Sequence, residues 1–317
     1  MDLRDHGSGT AAERREAARL AAEACRTTGL FLLTGHGVRP GLVRDAQRAA
    51  EEFFAAGEDY KARFRVPGSS RGYAPMSTES LAATAGAETP PDVKEAFAFG
   101  AVDVPENRAA WAGAGLTAVV WPRRPPEFRD ALLAYYRAAH LLAGRLMALL
   151  ADALDAPAGF FADKLDRSAD FLRVINYPRQ AVEPPPGALR AGAHTDFGAL
   201  TVIAADDAPG GLQVRDPDGR WIDVPAPAGT FVVNIGDLMA YWTGNRWASA
   251  VHRVVNPPPG SGPETRRQSL VFFHNPNLDA VIEPLDRAAR PGAPPPVPIT
   301  TRRWLADKTL RQRVPAR

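Results

Sequence analysis

The chain has one cysteine among 317 residues, Cys25, so no internal disulfide can staple it and a reducing compartment suits it. Cys25 sits in an Ala-rich helical run, where a buried, inert thiol is expected and a nucleophile is not. No apolar run is long enough to span a bilayer. The opening "MDLRDHGSGTAAERREAARL" lacks the apolar segment of a secretory signal. A soluble, cytoplasmic protein is therefore expected. An excess of one charge is also missing: 38 basic and 36 acidic residues leave a formal net charge of +2. With the arginines scattered, neither nucleic acid nor a membrane surface is expected as a partner. Oligomeric state is left open. Histidine is scarce, with six in all, so each can be weighed individually.

What is present is enough apolar residue, 45%, for a sizeable core. The pattern predicts a helix over 11–27, with Thr10 and Glu13 at capping-box spacing. A short strand is expected within "GLFLLTGHGV" (29–38), then a helix opening near Pro40. Residues 66–126 are rich in Gly, Pro and Ser, and "DVKEAFAFG" (92–100) is the clearest strand there. The strongest helix signal runs over 127–154, striped by Phe128, Leu132, Tyr135, Ala139, Leu142, Leu146 and Leu149. Beyond residue 168, short β-type segments alternate with Pro/Gly turns, including one expected strand over 192–205. That spacing points to an antiparallel sandwich or barrel. A Pro-rich loop (291–298) and a short polar helix at about 301–313 follow.

"AHTDFGALT" places two polar residues in a run of small and apolar ones. In an extended strand, residues i and i+2 share a face, so His194 and Asp196 project together. Alone this pair is weak, since a surface strand carries such a pair by chance. His252 in "SAVHRVVNP" offers a third ligand from a second β-type segment. The other four histidines read as structural: His6 lies in an irregular start, His36 in a glycine turn and His140 on the long helix, and His274 has the strand parity opposite to Arg267 and Ser269. Two imidazoles and one carboxylate leave three adjacent positions open on an octahedral ion, as non-haem Fe(II) requires to take a co-substrate and dioxygen together. In "RRQSLVFFHNP", Arg267 and Ser269 share a face. A buried arginine is costly without an anion, and its planar fork grips a carboxylate at two points. In isolation a salt bridge to a surface acid is the better reading; after the preceding pair and the distal histidine, the carboxylate clamp is.

At these residues the chain resembles the 2-oxoglutarate/Fe(II)-dependent oxygenases of the isopenicillin N synthase-like family. "GLFLLTGHGV", "RGYAP", "DVKEAFAFG", "VVWP", "LRVINYP", "HTDFGALT", "GGLQV", "FVVNIGD", "YWTGNRWASAVHRVVNP" and "RQSLVFFHNP" are similar to the family's signatures and stand in its order. The resemblance implies Fe(II) held by His194, Asp196 and His252, with 2-oxoglutarate and O2 as co-substrates. It also implies that Arg267 and Ser269 hold the distal carboxylate of 2-oxoglutarate and that Tyr177 reaches the same molecule. The implied fold is α+β with a mainly β core: a double-stranded β-helix (jelly roll), flanking N-terminal helices and a long backing helix. Residues 1–125 would form the family's N-terminal region. Residues 126–317 would hold the long helix, a catalytic core at about 168–277 and a tail, the whole making one compact unit. One departure is Ile175, where many relatives carry an asparagine that bonds the co-substrate; Asn176 has the wrong parity to replace it.

The activity implied is oxidation of a C–H bond in a small-molecule substrate, by hydroxylation first and by desaturation or cyclisation as variants. The Ala/Arg/Pro-rich composition suits a bacterial secondary-metabolic enzyme. Phe197, Phe273, Arg173, Tyr73 and Arg71 are candidate substrate contacts, although packing or a surface salt bridge explains each equally well. Two alternatives fit the same residues. One is an Fe(II) oxidase that dispenses with 2-oxoglutarate; the other is a non-catalytic module that captures a small acid. Structural zinc is disfavoured, because such sites are closed and usually Cys-rich.

Overall fold

Thr10 starts the first long helix, Ala11–Thr27, through a reciprocal cap: Thr10 N donates to the Glu13 carboxylate (2.6 Å) and Glu13 N to Thr10 Oγ1 (3.3 Å). In this computed structural model the described residues are all but 87–88, 181–183, 226, 262–263, 286–296 and 312–317. Most of the Pro-rich loop expected at 291–298 thus lies outside the described residues. The second long helix, Pro40–Phe54, opens on a proline where no donor is needed and buries Ala46, Ala49, Ala50, Phe53 and Phe54. The longest, Phe128–Ala153, buries the predicted stripe from Phe128 to Leu149. The first and second each pack against the longest, which lies against the outer face of a large β-sheet. Phe53 sits where the second and longest helices meet the sheet, in ring contact with Phe64, Tyr73, Phe97 and Phe128.

Eleven strands build the core: β1 (Leu30–Leu33), β2 (Gly72–Ala74), β3 (Glu95–Gly100), β4 (Phe171–Tyr177), β5 (Ala191–His194), β6 (Leu200–Ala205), β7 (Leu212–Arg215), β8 (Trp221–Asp223), β9 (Phe231–Ile235), β10 (His252–Val254) and β11 (Arg267–His274). The large sheet has seven strands in the order β1-β9-β6-β11-β4-β3-β2; the smaller has four, β5-β10-β7-β8. All of their pairings are antiparallel. Ile175, Ile203, Val232 and Val271 of the large sheet meet Ala191, Leu212, Val214 and Val254 of the small one in a single apolar cluster. A two-residue ladder, Val281–Ile282 with Ile299–Thr300, seats the C-terminal helix Thr301–Arg311. Among the described residues, no helix is long and apolar enough to cross a membrane.

One expected element is broken in two. The run 192–205 reads in the sequence as a continuous strand, but β5 ends at His194 and β6 begins at Leu200. Asp196 therefore lies in a loop. Its carbonyl and that of Gly198 accept from Asp237 N (2.8 Å) and Leu238 N (3.1 Å), so the backbone is satisfied by a neighbouring turn instead of a ladder.

Candidate metal centre and co-substrate cavity

His194 and His252 are brought together by strand register: they face each other across the β5–β10 pair, with ring centroids 4.3 Å apart. Asp196 reaches the same point from its loop, with Oδ1 3.9 Å from each Nε2. Asp196 and His252 are buried and His194 is nearly so. Each imidazole directs Nδ1 at a carbonyl two residues back, His194 to Gly192 (2.8 Å) and His252 to Ala250 (2.9 Å). An Nδ1–H donor leaves Nε2 as the lone-pair nitrogen, aimed at the shared point. Burial, and then the neighbouring His252, hold the His194 pKa well below its ordinary value. A neutral imidazole is the form that binds metal. The donor set fits a divalent ion: two neutral nitrogens and one carboxylate converge, and their separations are too long for direct hydrogen bonds.

The turn after β9 fixes the aspartate. Asn234 is fully buried, and its Nδ2 lies 3.4 Å from Asp196 Oδ2. Gly236 must be small, because a Cβ there would lie 2.3 Å from the Gly198 carbonyl oxygen and 3.0 Å from that of Asp196. In the sequence, "FVVNIGD" enters only as part of the resemblance, and neither residue is assigned a role there. An asparagine two residues before a glycine, at the end of an apolar run, is the available signal.

A second His–Asp–His cluster has a different geometry. Asp170 Oδ2 lies 2.6 Å from His140 Nδ1, and Oδ1 lies 2.7 Å from His274 Nδ1. Ser168 Oγ adds a third donor at 2.9 Å. These are charge-assisted hydrogen bonds, with the proton between the partners, and they leave no space for an ion. The cluster ties the long helix to β11. Burial works against ionisation of Asp170, but His274 and His140 outweigh it and bring the pKa to about 2. The bond to Asp170 raises the pKa of His140. The Asp170 contribution is complete above its ordinary value of 3.8 and is lost as pH falls through about 2. The His140 contribution is complete below its ordinary 6.5 and fades as pH rises through the raised value. Asp170→Ala should cost about 3 kcal/mol, because it strands a buried imidazole. Chemical denaturation between pH 4 and 6.5 checks this; a loss below about 1 kcal/mol would reduce the cluster to a surface pair.

The candidate triad opens onto a cavity of about 530 Å³ with largely apolar walls. On its floor, β4 and β11 contribute facing pairs: Tyr177 with Arg267, Ile175 with Ser269, Arg173 with Val271, and Phe171 with Phe273. All eight residues line the cavity. At one end Arg267 Nη1 donates to the carbonyls of Ala208 (3.0 Å) and Gly210 (3.4 Å), while its buried Nε has no hydrogen-bond partner among the described residues. Burial pushes the neighbouring Tyr177 phenol up to about 12, so it remains a donor. At the other end the Phe171 and Phe273 rings lie 6.0 Å apart. Ile175 turns its hydrocarbon to the cavity, and Asn176 points away to Glu95 (2.9 Å).

Of the candidate substrate contacts, Phe197, Phe273, Arg173 and Arg71 line the cavity. Tyr73 does not. Its hydroxyl donates to Glu95 (2.6 Å) and Glu58 (3.0 Å), and its ring packs on Phe53 behind the large sheet. A buried phenol must find an acceptor, and Tyr73 finds both on the helical side. The Tyr73 expectation is corrected accordingly.

Comparison with known proteins agrees with this architecture. Residues 169–276 match the family model of the 2OG-Fe(II) oxygenase superfamily, and residues 1–123 match that of the non-haem dioxygenase in morphine synthesis N-terminal region. The 2-oxoglutarate-dependent dioxygenase citB of Monascus ruber is 38% identical over 277 residues, spanning 84% of this chain and 80% of its own. Validamycin A dioxygenase of Streptomyces hygroscopicus subsp. limoneus is 32% identical over 302 residues, spanning 92% and 80%. The crystal structure of a full-length Neurospora crassa protein in complex with alpha-KG and thymine matches with a TM-score of 0.82 at 27% identity, over 97% of this chain and 96% of that one. The jelly-roll fold is thus shared over most of the chain, with Fe(II) and 2-oxoglutarate as the cofactor and co-substrate. By sequence and by fold, this chain belongs to the 2OG-Fe(II) oxygenase superfamily and is a 2-oxoglutarate/Fe(II)-dependent dioxygenase.

Proposed function

We propose that His194, Asp196 and His252 hold the iron, that Arg267, Ser269 and Tyr177 hold the distal carboxylate of 2-oxoglutarate, and that the enzyme hydroxylates a C–H bond of a small molecule. Bound iron supplies the coupling of 2-oxoglutarate decarboxylation to oxidation of the substrate. The protein orients both reactants and excludes water. The observation that carries the reading is the unpartnered, buried Arg267 Nε beside Tyr177 and Ser269, in the same cavity as three converging metal donors. A buried guanidinium edge of this kind is a carboxylate site awaiting its anion.

The substrate end supports an organic acid with an apolar body. Phe171, Phe197 and Phe273 supply the apolar wall. Arg173 gives Nη2 to Glu79 (2.6 Å) and keeps a buried Nε without a partner among the described residues. The setting read from composition is secondary metabolism; the name of the Streptomyces relative is compatible with it. Succinate should form in equal amount to oxidised product. An oxidised product without succinate would restore the oxidase alternative. Arg173→Met should raise KM for an acidic substrate by about tenfold, the loss of one charge-assisted contact, and leave KM for 2-oxoglutarate unchanged. An equal rise in both would remove Arg173 from the substrate site.

A further inference from the structure

Arg190 is the largest fully buried side chain among the described residues, at 0% exposure. It immediately precedes β5 and does not line the cavity. Its Nη1 donates to the Pro209 carbonyl (2.6 Å) and its Nη2 to the Thr265 carbonyl. Its Nε has no hydrogen-bond partner among the described residues. The guanidinium lies over the Tyr177 ring, 5.9 Å from the centroid. Arg267 holds the same turn from the other side, through Ala208 and Gly210. Two guanidiniums therefore flank Tyr177 and clasp one turn at three consecutive carbonyls, those of residues 208, 209 and 210.

Among the described residues the charges there do not balance. The carboxylate facing the pair is Asp206, 3.7 Å from Arg267 and a third exposed. Burial, and then repulsion from Arg267, bring the Arg190 pKa down to about 10. It remains a cation at neutral pH. Two buried cations against one partly solvated anion leave a positive field that a further anion would neutralise.

We infer that Arg190 is a second cation of the 2-oxoglutarate subsite, acting from behind Tyr177 as a positioning residue. It fixes the 208–210 turn against Arg267 and makes the site select a co-substrate with a distal carboxylate. This inference rests on the site assignment proposed above. A residue that only braced the fold would affect every keto acid equally. A charge selector affects only those that carry the distal group.

The test is calorimetric titration of the Mn(II)-loaded protein, without oxygen, with 2-oxoglutarate and with pyruvate, which lacks the distal carboxylate. Arg190→Met should weaken 2-oxoglutarate binding by about tenfold or more and leave pyruvate binding within about twofold. Arg190→Lys should recover part of the loss, since it keeps the charge but not the fork. Asp206→Asn removes the competing anion from a partly exposed site and should tighten 2-oxoglutarate binding. Equal weakening of both keto acids by Arg190→Met, or unchanged 2-oxoglutarate binding, overturns the inference. Should Arg190→Met fail to fold, Asp206→Asn decides: weaker 2-oxoglutarate binding in that variant overturns the inference. Wild-type protein that binds neither keto acid would instead count against the site assignment itself.

Discussion

Asp196→Ala should abolish turnover while leaving the melting temperature of the metal-free protein nearly unchanged. The loop carrying Asp196 is held by its backbone, through Asp237 N to the Asp196 carbonyl and Leu238 N to the Gly198 carbonyl. Among the described residues its carboxylate has one side-chain hydrogen bond, from Asn234 at 3.4 Å, besides the two imidazoles at 3.9 Å. Removing the carboxylate therefore costs the fold little. For the metal it removes the one anionic donor and leaves two neutral imidazoles. Loss of an outer partner of a ligand typically lowers metal affinity by about 10–100-fold, so loss of the ligand itself should exceed about 100-fold. A metal that binds only the native state raises its stability in proportion to the logarithm of metal concentration over Kd. Thermal melts with and without Mn(II) should show an upward shift in wild type and none in Asp196→Ala. Asn234→Ala should fall between them, with weakened but measurable metal binding. Near-normal turnover, or an intact metal-dependent shift, in Asp196→Ala would remove Asp196 from the site.

The elements most legible in the sequence are those whose cause is local. The capped helix at Ala11–Thr27, the Pro40 helix and the long buried stripe each announce themselves within a few turns of chain. His194 and Asp196 read as neighbours through strand alternation, which is the wrong mechanism. The strand stops at His194, and Asp196 is placed by hydrogen bonds to a turn some forty residues away, about which local spacing says nothing. Only β-pairing brings His252 opposite His194. The Asp170 cluster is invisible for the same reason: His140 and His274 can each be weighed only alone, while the carboxylate that joins them is one of 36 acidic residues. Tyr73 is misplaced by the sequence because its destination depends on Glu58 and Glu95, which meet only in the folded chain. Arg190 carries no signal at all. In a sequence rich in scattered arginine, nothing local marks the one that is fully buried among the described residues.

Arg267→Ala should raise the 2-oxoglutarate requirement by about 10- to 100-fold, the worth of one or two charge-assisted hydrogen bonds. Metal binding should be untouched, because Arg267 lies on the large sheet while the candidate metal donors lie on the small one and the loop beyond it. At saturating 2-oxoglutarate, kcat should recover most of its wild-type value. A clamp on the remote end of the co-substrate contributes chiefly binding that is shared by ground and transition states. Arg267→Lys tests geometry separately from charge. An ammonium cannot reproduce the planar fork that reaches Ala208 and Gly210 and still carries a further N–H, the unpartnered Nε. It should therefore rescue only part of the affinity. The truncation also leaves two carbonyls without their donor, so a modest drop in melting temperature is expected alongside the KM change. The two effects separate on adding 2-oxoglutarate: a pure folding defect would be corrected by any stabilising condition, whereas the KM rise would persist. A 2-oxoglutarate KM within twofold of wild type in Arg267→Ala would show that the distal carboxylate is held elsewhere. The unpartnered Nε of Arg267, whose residue lies beside Tyr177 and Ser269, would then need another anion to explain it.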